Sequence, residues 1–168
     1  ARVDWIEHAS FIDKDTIQFA FNNNVYLSLD IYVSDYILGE GAKKRILEES
    51  LAKERKVGRI QRENFKLANS MGALMVLGTD AGIYNHGDNA KQFQYMVDWG
   101  MTSLQAIQSA TINTAELFNI DNVGEIKEGF RADIVGVNSN PLKNISSLEN
   151  VSFVMKSGKV YKNLNQNK

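Results

Sequence analysis

Ala73-Leu74-Met75-Val76-Leu77-Gly78-Thr79-Asp80-Ala81-Gly82 is the stretch from which the fold can be read. Its first five residues are apolar without a break. That pattern suits a parallel strand covered on both faces better than a half-exposed antiparallel one. Gly78 and Gly82 then bracket a Thr-Asp pair and permit close backbone approach around it. Parallel α/β folds bind ligands beyond the carboxyl ends of their strands, so Asp80 stands where a functional carboxylate is needed. A Thr-Asp pair after a strand also serves commonly as a helix cap or turn, and both roles stay open on these residues alone.

Upstream, Val3 to Glu7 alternates as a short strand that ends at His8. Asp13 to Asn22 reads as a helix with Ile17, Ala20 and Phe21 on one face, and Asn22-Asn23-Asn24 stops it. Val25 to Leu29 is a second strand, followed by a long loop through Gly39 and Gly41. Glu48 to Met71 is a charged helix with two glutamates in its first turn, where the helix dipole favours them. Ile60, Leu67 and Met71 mark its expected buried stripe, and Gly72 ends it. The order is β-α-β-α-β, each helix being long enough to cross back over a sheet. A histidine that closes a strand is most often a hydrogen-bonded structural residue. His8 and Asp80, however, end strands separated by one intervening strand and two helices, which places both on one rim.

Downstream, Lys91 to Asp98 is helical, and Thr102-Ser103-Leu104-Gln105 is a capping-box pattern opening another helix. That helix is expected to turn Leu104, Ile107, Ala110 and Thr111 toward its partners. After Asn119 the character changes. Glu125 to Val135 reads strand, glycine turn, strand, and Ser157-Gly158 is a two-residue hairpin signal between Val151–Met155 and Lys159–Tyr161. Residues 1–119 therefore form the alternating α/β part, 120–163 a small antiparallel β unit, and 164–168 a disordered tail.

Composition narrows the function classes. Nineteen basic against twenty acidic residues give a formal charge of −1, which offers nothing to a nucleic-acid groove. No apolar run reaches the ~20 residues of a membrane span. The chain has no cysteine, so a thiolate metal site is excluded. At 168 residues it is shorter than the roughly 250 of a complete (β/α)₈ barrel, and Ala1-Arg2-Val3-Asp4-Trp5-Ile6 leads straight into a strand. The expectation is a segment of a longer protein, with a cytoplasmic location favoured.

Together these strings resemble the amidohydrolase superfamily, loosely its imidazolonepropionase-like and Xaa-Pro dipeptidase-like branch. Ala110-Thr111-Ile112-Asn113-Thr114-Ala115 with Leu117 resembles the helix those hydrolases place after their eighth strand. Gly124 to Gly129, Ala132 to Val135, and Val154 to Val160 resemble the return into their small β-sandwich. The resemblance implies an α/β fold: about strands 6 to 8 of a TIM (β/α)₈ barrel plus the C-terminal strands of the sandwich. It implies Zn²⁺, one or two divalent metals in the complete protein, with His8 as the sixth-strand ligand to the second metal. Asp80 would be the eighth-strand ligand and catalytic proton shuttle.

The implied partners are a small amide or dipeptide substrate and an N-terminal barrel half, with a homo-oligomer compatible. The first-strand His-x-His, the bridging lysine and the fifth-strand histidine of the family have no counterpart here, so this stretch alone is expected to be inactive. His86 and Tyr32 are candidate substrate-binding residues beside Asp80, and Asp35 is expected to face the same cavity. An exposed loop histidine and a solvated loop are the plainer readings. Hydrolysis of an amide or peptide bond in a dipeptide or N-acyl amino acid is the implied activity. The alternatives are a cyclic-amide hydrolase of the imidazolonepropionase type and a non-catalytic α/β binding module.

Overall fold

A computed structural model describes residues 2–40, 43 and 45–164. Three short strands, β1 (Trp5–Glu7), β2 (Tyr26–Ser28) and β3 (Met75–Val76), form a parallel sheet in the order β1-β2-β3. The register pairs Ile6 with Leu27 and Ser28 with Val76. Helix α1 (Lys14–Asn22) crosses from β1 to β2, and α2 (Val33–Glu40) with α3 (Glu48–Ser70) crosses from β2 to β3. Three short helices follow: α4 (Lys91–Asp98), α5 (Ser103–Ser109) and α6 (Ile112–Leu117). A second, antiparallel sheet is built of β4 (Ile134–Val137), β5 (Val151–Lys156) and β6 (Lys159–Asn163). The chain is thus an α/β structure with two three-stranded sheets, the parallel one open and barrel-like rather than closed.

Local chemistry accounts for the element ends. Asp13 caps α1 by accepting from Thr16 N–H at 2.8 Å. Thr102 and Gln105 form the expected capping box on α5. Ser157 and Gly158 both take positive φ, 49° and 78°, as a type I′ hairpin requires. Leu27, Leu29 and Ile31 from the central strand and its extension pack against Ile17 and Ala20 of α1, Phe65 and Ala68 of α3, and Met75 and Met96. Removing the larger of these side chains would cost about 2–5 kcal/mol each, so this core fixes how the three strand ends sit together. Among the described residues β3 has only β2 as a strand neighbour, but helices quiet its edge: Leu77 N–H donates to Ser109 O at 3.1 Å, and Asn113 Nδ2 to Met75 O at 2.9 Å.

Several expectations need correction. The segment after β2 is helical over Val33–Glu40 rather than a long loop, because Ser34 buries against Gly58 and Glu54 of α3 and Val33 buries with Tyr32 and Tyr84; Gly41 lies outside the described residues. The stripe that α3 buries is Leu51, Gly58, Gln61, Phe65 and Ala68. Ile60 is 37% exposed, while Leu67 and Met71 pack at the core's margin. A helix chooses its inner face by fit as well as by hydropathy: Gly58 faces Ser34 so closely that a Cβ there would overlap its hydroxyl. Phe21 is exposed on α1, and Leu104 is exposed on α5, where Ala106 and Ser109 are buried instead. The first expected strand of the β unit, at Glu125–Lys127, is a turn region with Ile126 exposed, so only β4 forms there. Leu164 donates to Ser152 O at 2.9 Å, and the rest of the expected tail, 165–168, lies outside the described residues.

Candidate metal centre

The carboxyl ends of the three parallel strands each deliver one metal-ligating side chain. His8 follows β1 directly, Asp30 lies two residues past β2, and Asp80 four residues past β3. Ligand atoms of all three lie within 4.8 Å of one another. Two ligands about 2.0–2.2 Å from one ion stand at most about 4.4 Å apart, so the cluster is compact enough to close on a divalent cation with small side-chain shifts. Its imidazole and carboxylate donors suit zinc and similar divalent metals. Glu7, Gly78 and Thr79 complete the lining of a cavity of about 330 Å³ around these residues.

The backbone is bent to present two of the three. His8 has φ 61° and Asp80 φ 49°, left-handed values that side-chain-bearing residues rarely adopt. Such conformations persist only where the surroundings over-determine them. Around Asp80, Tyr84 O–H donates to the neighbouring Thr79 O at 2.7 Å and Asn89 Nδ2 to Thr79 Oγ1 at 3.3 Å. Around His8, Ala9 N–H returns to Glu7 O at 2.7 Å, and Gln61 Nε2 donates to His8 O at 3.0 Å.

The electrostatics are coupled. His8 Nδ1 lies 2.9 and 3.1 Å from the two oxygens of Asp30. The imidazole is 59% exposed and the Asp30 side chain 5%. The Asp30 hydrogen bond raises the His8 pKa above its usual value; partial burial opposes this, and the charges of Asp30, Asp80 and Glu7 add to it. Burial raises the Asp80 pKa, with the negative charge of Asp30 beside it and His8 acting in the opposite sense. A neutral imidazole whose Nδ1–H donates to a carboxylate keeps Nε2 as a metal-ligating lone pair.

The structure brings His8 and Asp80 together and adds Asp30. The signal for Asp30 was present in the sequence: Val25-Tyr26-Leu27-Ser28-Leu29-Asp30 is again an apolar strand running into a carboxylate. His86 is exposed on the loop after β3 and does not line the cluster's cavity. Tyr32 is buried and makes an edge-on contact with Tyr84 at 4.9 Å, so it is part of an aromatic group rather than a solvated loop. It lines a different cavity, of about 520 Å³, together with Tyr36, Asn85, Lys91 and Tyr95. Asp35 borders that second cavity and is ion-paired with Arg62 at 2.6 Å. Among the described residues, no helix is long and apolar enough to cross a membrane.

Relatives place this geometry. The chain is 27% identical over 164 residues to ochratoxinase of Aspergillus niger, an alignment covering 94% of the chain and 33% of that protein. Its fold superposes on a crystal structure of a Xaa-Pro dipeptidase with methionine bound in the active site, with a TM-score of 0.89 and 38% identity, covering 95% of this chain and 40% of that one. A prolidase complexed with N-methylphosphonate-L-proline superposes with a TM-score of 0.87 and 26% identity, over 96% and 40% of the two chains. The chain thus spans a third to two-fifths of the length of these relatives. The amidohydrolase family matches residues 2–161, a span that takes in the parallel sheet, all three clustered residues and the antiparallel sheet into β6, and the chain belongs to that family.

Proposed function

We propose that this chain is the C-terminal portion of a metal-dependent hydrolase that cleaves an amide or peptide bond in a small substrate. In this reading residues 1–119 supply strands 6 to 8 of a (β/α)₈ barrel, and 120–163 belong to its companion β-sandwich. The observation that carries it is the convergence of His8, Asp30 and Asp80 at the carboxyl ends of three parallel strands. That end of a barrel is where such folds place their chemistry. The residues fit a divalent metal, zinc by preference, with His8 and Asp80 holding it and Asp30 orienting the His8 ring. Further ligands come from sequence outside these 168 residues.

A divalent metal, when bound, polarises the scissile carbonyl and acidifies a water molecule. Asp80 takes the proton of the attacking water and returns it to the leaving nitrogen. Tyr32 and His86 contact substrate in this reading, Tyr32 from the wall of the neighbouring cavity. The dipeptidase and prolidase structures, each matched over about 95% of the chain, support a dipeptide substrate over a cyclic amide.

The test is metal analysis and hydrolysis assays on the complete protein, with Xaa-Pro and other dipeptides, N-acyl amino acids and cyclic amides as substrates. Bound zinc or another divalent metal, and dipeptide hydrolysis that Asp80→Asn reduces about 10²–10⁴-fold, are the expected results. An Asp80→Asn variant with undiminished hydrolysis would overturn the reading.

A further inference from the structure

We propose that Gln61, on the inner face of α3, is a positioning residue of the metal centre. One side-chain amide holds both Asp30 and the main chain of His8, and so fixes which nitrogen of His8 is offered to a metal. This rests on the reading of His8 and Asp80 as ligands.

A glutamine within the buried stripe of a helix is costly unless its polar atoms are paired. Gln61 is 4% exposed. Both hydrogens of its Nε2 are spent on the centre: one goes to Asp30 Oδ1 at 2.8 Å, the other to His8 O at 3.0 Å. The opposite amide orientation would set Oε1 against a carboxylate and a carbonyl, so the partners themselves decide it. Asp30 Oδ1 then receives Gln61 from one side and His8 Nδ1 from the other, the latter at 2.9 Å. An ionised carboxylate only accepts. His8 must therefore carry its hydrogen on Nδ1, which leaves Nε2 as the free lone pair. The second bond reaches the carbonyl of a residue held at φ 61°, so the same amide helps to maintain that backbone. Without Gln61, the Asp30 carboxylate loses the donor that opposes His8, and the His8 carbonyl loses its link to α3.

The molecule supplies its own control. Asn64, next along α3, donates from Nδ2 to Ser10 O at 2.9 Å. It ties the same helix to the same loop without touching Asp30 or His8.

The experiment uses the complete protein, stripped of metal with a chelator and titrated with Co²⁺. The dissociation constant is read by competition with a chromophoric chelator, and ligand geometry by the visible d–d absorption. Gln61→Met keeps the volume and deletes the donors. Gln61→Asn keeps an amide but is one methylene short of reaching both partners, and it decides the matter if the Met variant does not fold. Each is expected to weaken Co²⁺ binding about 10- to 100-fold, the usual effect of losing an outer-sphere partner, and to alter the absorption bands. Asn64→Leu should keep the wild-type affinity and spectrum. If Asn64→Leu weakens Co²⁺ as much as the Gln61 variants, the effect is a general loosening of α3 and the proposal falls. His8→Ala and Asp80→Ala separate the two layers: Co²⁺ binding unchanged by both removes the ligand assignment itself. Binding weakened by both, but within twofold of wild type in Gln61→Met and Gln61→Asn, overturns the role of Gln61 alone.

Discussion

Replacing Gly78 by alanine would insert one methyl group between β3 and β2, two residues before Asp80. The φ of Gly78 lies outside the left-handed region, so the backbone accepts alanine and the cost is steric. A Cβ at this position would overlap the hydroxyl oxygen of Ser28, with Ser28 Cβ at 3.5 Å and Glu7 Oε2 at 3.6 Å. Ser28 is buried on the central strand, paired to β1 on one side and β3 on the other. Its hydroxyl must either turn about χ1 within a buried surround or push a neighbour aside. Overpacking of this kind costs about 1–3 kcal/mol. For a domain of roughly 150–250 residues each kcal/mol moves the thermal midpoint about 2–4 °C, which puts the expected fall between about 2 and 12 °C. The remedy is specific. Ser28→Ala deletes the one overlapping atom and leaves a Cβ-to-Cβ separation in the ordinary contact range. The double variant Gly78→Ala/Ser28→Ala should therefore melt close to Ser28→Ala alone, a large departure from additivity between touching residues. Thermal melting of wild type, the two single variants and the double variant provides the cycle. A Gly78→Ala protein that melts with wild type, or a double variant as unstable as the sum of its singles, refutes the close approach of the two strands.

Three further outcomes follow from the same geometry. The raised pKa of His8 has two opposite consequences. In the metal-free protein the protonated His8–Asp30 pair adds stability that is fully present below about pH 6.5 and lost as pH rises through the raised folded-state value. A metal requires neutral imidazole, so metal retention, followed by elemental analysis after dialysis, should fall as pH drops through that same value; retention flat across it would contradict the pairing. Phe65→Ala, in the core beneath β2, should cost about 3–5 kcal/mol by thermal or denaturant unfolding, and a loss under 1 kcal/mol would mean that α3 does not pack there. Ser157→Asn, at φ 49° in the hairpin turn, puts the residue type that type I′ turns favour at that position. It should raise stability by a few tenths of a kcal/mol, up to about 1; a lowered melting midpoint would argue against that turn.

What could be read from the chain, and what could not, divides by the distance over which each feature is decided. The run Ala73 to Leu77 is locally sufficient: continuous apolarity, bracketing glycines and a following acid need no partner to be interpreted. The hairpin at Ser157-Gly158 and the capping box at Thr102 to Gln105 are equally local, and both stand as expected. Helix α2 was harder, since Gly39 and Gly41 read as a loop, while Ser34 is buried only because Gly58 of α3 leaves room for it.

Gln61 was hardest. Hydropathy assigns a glutamine to the solvent side of a charged helix, and only the carboxylate of Asp30 and the carbonyl of His8, 31 and 53 residues away in the chain, turn it inward. A buried polar side chain is stable just where its partners already wait. Its identity therefore carries no periodic signature, although its position was set by the same fit that placed Phe65 and Ala68 in the core. Asp30 lies between these cases. Its strand was read, and the rule that singled out Asp80, a carboxylate just past the end of an apolar parallel strand, applies to it unchanged. Widened to any metal-ligating side chain at a strand's carboxyl end and applied to all three strands at once, the rule finds His8, Asp30 and Asp80 together. The centre follows from three strand ends sharing one rim, a property of the topology that no single motif contains.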